Sequence, residues 1–124
     1  MIKVNIKEKI YTALNASTEL TALLAKDAQG QCIYHCRSPS AGSYPVIVYT
    51  MLRDEPAAIA DGKVLERRVT IRISILTRNG DYEQIYQKIW ELMLGLGFMP
   101  VQTSEEIKND LFVENADFRI VLSV

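Results

Sequence analysis

The clearest pattern in the chain is an alternation. Val69, Ile71, Ile73 and Ile75 take turns with Arg68, Thr70, Arg72 and Ser74. Successive strand residues point to opposite faces, so this segment reads as a half-buried β-strand with one apolar and one polar side. Upstream, Pro45 to Leu52 is rich in β-branched residues and apolar at both parities, which predicts a strand covered on both faces. The two should pair as an antiparallel hairpin. Their connection, Arg53 to Leu65, is about a dozen residues long and carries Pro56 and an Asp61-Gly62 turn signal.

A second alternation closes the chain. Phe118, Ile120, Leu122 and Val124 share one parity, and Asp117, Arg119, Val121 and Ser123 the other. Gln31–Cys36 and Phe98–Thr103 read as shorter strands. Thr103–Asp110 and Arg37–Tyr44 read as loops, from their polar, Ser, Gly and Pro content.

Helical spacing occupies the remainder. Asn5 followed by Glu8 resembles a capping box, and Ile6, Ile10, Ala13 and Leu14 then fall on one face. Ser17 or Thr18 opens a short second turn around Leu20, Leu23 and Leu24. Asn79-Gly80-Asp81 ends a strand and caps a helix striped by Ile85, Ile89, Leu92, Met93 and Leu96, with Trp90 on its flank and Gly97 at the C-terminal cap. The order α, α, β, β, β, α, β, β lacks the regular interleaving of a doubly wound sheet. It predicts a single α+β domain over residues 1–124, with a largely antiparallel sheet, helices packed on one face and a long β-hairpin arm.

Composition adds bounds. A chain of 124 residues, 48% hydrophobic and 23% charged, can bury about two-thirds of its unfolded surface without disulfides or metal. Fourteen basic residues against fifteen acidic ones leave a net charge of −1, unlike a dedicated nucleic-acid binder. The N-terminal ten residues contain no apolar signal-peptide core, and no apolar run approaches the roughly 18 residues of a membrane span. The expected site of synthesis and assembly is therefore the cytoplasm.

Candidate chemistry is sparse. Cys32, His35 and Cys36 form one cluster, whereas zinc sites use two short ligand pairs; the ordinary reading is two small residues in or near a core. Asp54/Glu55, Glu105/Glu106 with Asp110, and Glu114/Asp117 are acidic pairs that fall in or beside expected polar loops, where solvated charge is the usual explanation. Gly95-Leu-Gly97 ends a helix and so is no dinucleotide fingerprint. No catalytic residue, cofactor or metal follows from these patterns, and no enzymatic role is expected. Arg68, Arg72 and Arg119 share the polar parity of two strands and form a candidate basic stripe for lumen-side, non-specific contact with DNA; a solvated face or cross-strand ion pairing is the preferred account. In the long connection, Asp54, Glu55, Pro56, Ile59, Asp61, Lys63, Val64 and Leu65 are the candidate subunit or partner interface of a protruding arm; a loop folded back on its own core is the equal alternative.

The helix pair, Ile33-Tyr34, Tyr44-Pro-Val-Ile-Val-Tyr49, Glu55-Pro56, Asp61-Gly62, the Arg68–Leu76 strand, the Tyr82–Leu96 helix with Gly97-Phe98, and the closing alternation resemble in order and spacing the tail-completion (tail-terminator) proteins of long-tailed bacteriophages. The resemblance spans most of the chain and involves no catalytic signature. It implies a homo-oligomeric ring, usually of six copies and in some members formed only on the tail. That ring caps the tail tube, joins tail to head, and contacts the tail tube protein and the head–tail connector. It also implies a place in the virion at the head–tail junction. A head-side connector of the same assembly, a ligand-binding α+β domain and an adaptor using its sheet edge are the alternatives.

Overall fold

The computed structural model describes residues 5–37 and 43–124. In chain order the elements are α1 (Ile6–Ala16), α2 (Thr18–Thr21), β1 (Ile33–His35), β2 (Val46–Ala60), β3 (Lys63–Thr77), α3 (Glu83–Gly95), β4 (Met99–Lys108) and β5 (Leu111–Ser123). The five strands form one sheet in the order β1-β2-β3-β5-β4. β1 runs parallel to β2, while every other pairing is antiparallel. The sheet is thus mixed rather than purely antiparallel, and the class is α+β.

Local sequence explains where the helices begin. The Asn5 side chain accepts from the Glu8 backbone N–H at 3.1 Å, and Ser17 accepts from Leu20 N–H at 3.2 Å. Each satisfies a donor that the first helical turn leaves free. The return arm of the capping box differs from the usual one: the Glu8 carboxylate meets the Asn5 side-chain amide, at 3.3 Å. The expected cap of α3 shifts too. Tyr82 occupies the N-cap without a side-chain bond, and Asn79 instead accepts from Asp81 N–H. Past Leu96, Gly97 takes φ +96, a left-handed conformation that a side chain would disfavour.

The alternation in β3 is realised as a division between two faces. Val69, Ile71, Ile73 and Ile75 are fully buried beneath the helices. They join Ile47 and Tyr49 of β2, Ala116 and Phe118 of β5, and Ile6, Ile10, Leu14, Leu20, Ile85, Ile89 and Met93 of the helices. Trp90 meets Phe118 edge to face at 6.1 Å, a favourable arrangement of aromatic quadrupoles. Lys88 on α3 pairs with Glu19 on α2. Across the sheet, Val46, Val48, Leu76, Leu111 and Val113 form a second, smaller cluster edged by Tyr34 and Tyr44. That cluster accounts for the two apolar parities of β2.

Three expected boundaries move. The Arg53–Leu65 connection is strand almost throughout: β2 and β3 each run 15 residues and meet at Asp61-Gly62. Those two residues have φ +51 and +72, the left-handed pair of a tight hairpin turn. Thr103–Asp110, read as a loop, lies mostly in β4, a strand whose residues are all exposed. Its polarity reflects an edge position with no covered face, a case in which composition imitates a loop. β1 is limited to Ile33–His35 within the expected Gln31–Cys36.

Candidate assembly surface

The arm grows out of the sheet. β1 covers only Ile47 to Tyr49 of β2, so from Thr50 onward the outer edge of β2 has no strand beside it among the described residues. On the other side β3 stays paired with β5 up to Glu66–Ser123, and Val124 N–H donates to Leu65 O. Register shifts at Met51/Arg53, Pro56/Ala58 and Ala58/Ile59 bend the hairpin. Such bulges increase twist, and Pro56 removes one donor from the edge.

Of the eight arm residues singled out from sequence, Ile59, Val64 and Leu65 expose large apolar surface, with Ile59 at 63%. Asp61 and Lys63 flank them at the turn. Asp54 and Glu55 behave differently: they lie across the ladder from β3 and pair with Arg67 (3.1 Å) and Arg68 (3.5 Å). The arm therefore carries its charge largely neutralised along its stem and its apolar surface at its tip.

Among the described residues, the exposed large hydrophobic side chains fall in two regions, with one exception. Leu52, Ile59, Val64 and Leu65 are on the arm. Met99, Val101, Ile107, Phe112 and Val121 are on the β4–β5 hairpin, with Val124 just past its end; Leu94 on α3 is the exception. Sequence reasoning misses the β4–β5 contribution: Ile107 is the one apolar residue in Thr103–Asp110, whose polar content imitates a loop, and nothing in the local pattern marks Met99, Val101 or Phe112 as exposed. The two hairpin turns lie at opposite ends of the sheet, since β3 and β5 run antiparallel.

The face away from the helices carries a polar ladder. Arg72 donates twice to Asp117, Nε to Oδ1 at 2.8 Å and a terminal nitrogen to Oδ2 at 3.0 Å. Gln102 adds a bond to Oδ2 at 2.9 Å. Burial pushes the Asp117 carboxyl up, but these bonds and the Arg72 charge outweigh it and hold the group below its ordinary range. Ser74 donates to Asn115 at 2.7 Å, and Asn115 reaches Glu106. The candidate stripe thus divides: Arg68 and Arg72 are ion-paired, whereas Arg119 is exposed and forms no ion pair with a described residue. Arg53, level with Thr70 and Arg119 in the register, is also exposed and without an ion pair.

Beside this ladder lies a concavity of about 450 Å³. Val48, Leu76, Leu111 and Val113 supply an apolar floor, and Cys36, Arg37, Glu106 and Lys108 stand around it. On the helix face, Glu114 is buried opposite Glu105. Burial, then the nearby Glu105 and Glu83 carboxylates, push its carboxyl up to about 7. Tyr82 donates to Glu105 at 2.8 Å and Tyr86 meets Thr103 at 2.9 Å, tying α3 to the edge strand.

The Cys32–His35–Cys36 cluster is split by the fold. Cys32 is buried and Cys36 exposed; the Cys36 thiol lies 3.2 Å from His35 Nε2, and His35 stacks on Tyr49. Among the described residues no group of three or more His, Cys, Asp or Glu is disposed to hold a metal ion. Among the described residues no helix is long and apolar enough to cross a membrane.

No family model and no curated protein sequence matches the chain. The fold does match. A chain in a solved structure described as the virion of a native gene transfer agent particle superposes with a TM-score of 0.64, over 93% of this chain and 92% of that one, at 14% sequence identity. At that identity the likeness is one of fold.

Proposed function

We propose that this chain is a structural protein of a phage-like particle, and that it works by assembling with copies of itself and with neighbouring virion proteins. The observation that carries this reading is the distribution of exposed apolar surface. Apart from Leu94 on α3, the exposed large apolar side chains among the described residues lie on or just past two hairpins that pair side by side in one sheet with their turns at opposite ends. A monomer that has no partner gains nothing from exposing Ile59, Leu65, Met99 and Ile107 together. A fold shared over nearly its whole length with a chain of a gene transfer agent virion supports the same reading.

Within it, the tail-completion role fits best. Surfaces at two different ends of a subunit make a heterologous contact, which closes into a ring when the rotation allows. A ring of this kind caps the tail tube and offers its other side to the head connector. Deleting the gene from an inducible particle-producing element and imaging the lysate by electron microscopy tests the role. Filled heads beside unattached tails of irregular, excessive length are expected. Normal-length tails without heads would move the protein to the joining step, and intact infectious particles would refute the assembly reading.

A further inference from the structure

The arm tip and the concavity are complementary and lie far apart on the same molecule. The tip presents Ile59 and Val64 beside Asp61 and Lys63. The concavity presents an apolar floor with Lys108 and Glu106 at its margin. Each charge at the tip therefore has an opposite charge available at the margin, and each apolar side chain has an apolar floor. At ~3.3 Å per strand residue, the run of β3 from Val64 to Arg72, the nearest residue of that strand lining the concavity, spans roughly 26 Å. The tip of one chain is thus out of reach of its own concavity, which is large enough to hold a few side chains. We infer that the arm tip of one copy of this chain seats in the open-face concavity of the next. The inference rests on the assembly reading and deepens it, because it names both halves of the subunit contact.

Such a contact uses a different patch on each partner, so it propagates from copy to copy rather than stopping at a dimer. The arm's paired stem suits it for this. Asp54 and Glu55 are already matched by Arg67 and Arg68, so seating the tip brings no unpaired stem charge toward the apolar floor.

The native Cys36 is exposed at the wall of the concavity, while Cys32 is buried. Ile59→Cys therefore places a second thiol where the contact would bring it beside Cys36 of the next copy. A disulfide requires Cα atoms within about 7 Å. The purified full-length Ile59→Cys chain, incubated with oxidised glutathione, should give a covalent ladder extending past the dimer, with a 36–59 linked peptide by mass spectrometry. Adding Cys36→Ser should remove every species above the dimer. A chain that associates by sedimentation yet gives only 59–59 links overturns this contact and leaves the assembly reading standing. A chain that stays monomeric at all concentrations, and whose deletion leaves particles intact, overturns both. As a second readout, Lys108→Glu should weaken self-association at least tenfold, and pairing it with Asp61→Lys should restore it. No restoration, with both variants folded, would count against the seating of Asp61 beside Lys108.

Discussion

Glu114 makes the fold sensitive to pH in a direction opposite to most carboxylates. Its side chain is 8% exposed and stands across the β4–β5 ladder from Glu105. Glu83 in the first turn of α3 approaches from the helix side, and β3 contributes only the apolar Ile75 at that level. No cation is among the causes that shift it. Burial first, and the two neighbouring carboxylates second, favour the protonated form and push the group from an ordinary 4.5 to about 7. Because the folded value lies above the unfolded one, the contribution to stability is fully present below about pH 4.5. It falls as pH rises and is gone above about pH 7. The interval corresponds to roughly 3 kcal/mol as an upper figure. Urea denaturation of the native chain and of Glu114→Gln at pH 5, 6, 7 and 8 isolates this group, since all other titrations are common to both. At pH 5 the two should agree within about 1 kcal/mol. At pH 8 the glutamine chain should be the more stable by about 2 kcal/mol, an isosteric amide having no charge to bury. Parallel profiles across the range would refute the reasoning. Glu105→Gln should move the inflection of the native profile to lower pH, because it removes the stronger of the two charge effects.

Four further outcomes follow from the same geometry. Arg72→Ser leaves the buried Asp117 carboxylate with Gln102 alone and should cost about 2–4 kcal/mol by thermal or urea unfolding. Arg53→Ser and Arg119→Ser, both exposed and without ion pairs, should stay within about 0.5 kcal/mol of the native chain. Gly62→Ala meets open space but must hold φ +72, so it should lose about 1 kcal/mol from backbone strain alone, read as a lower melting temperature. Ile59→Ser with Leu65→Ser should leave the melting temperature of the isolated chain nearly unchanged while abolishing self-association measured by sedimentation.

The sequence was most legible where one face of an element is covered and the other is wet. β3 and the end of β5 meet that condition: their alternation puts Val69, Ile71, Ile73, Ile75, Phe118, Ile120 and Leu122 on the helix face, whereas Val124, past the end of β5, is exposed. α1 and α3 were legible for the same reason at a different period. Legibility failed at the edge. β4 is exposed at every position, so no burial constrains its pattern, and Thr103 to Lys108 resemble a loop although they extend a ladder. The arm is the hairpin that the sequence predicts, but its strands reach further than expected: bulges absorb Pro56 and the ladder continues to the Asp61-Gly62 turn that the sequence marks. Glu114 was read as solvated because it neighbours polar residues in sequence; its burial comes from α3 and β4, which no local pattern reports.

The charged groups on the open face bear on how the DNA-contact idea should be tested. Arg68 and Arg72 share the stripe's parity, but removing both would unpair Glu55 and the buried Asp117. A lost infectivity would then be indistinguishable from a weakened fold. Arg53 and Arg119 provide the clean test. They flank Thr70 on the same face, at the root of the arm, and neither has a partner in an ion pair among the described residues. If DNA passes this surface, their contribution is counterion release, so the double Arg53→Ser, Arg119→Ser chain should bind duplex DNA more weakly with a salt slope reduced by about 2. An unchanged slope, with the melting temperature preserved, would refute DNA contact by Arg53 and Arg119.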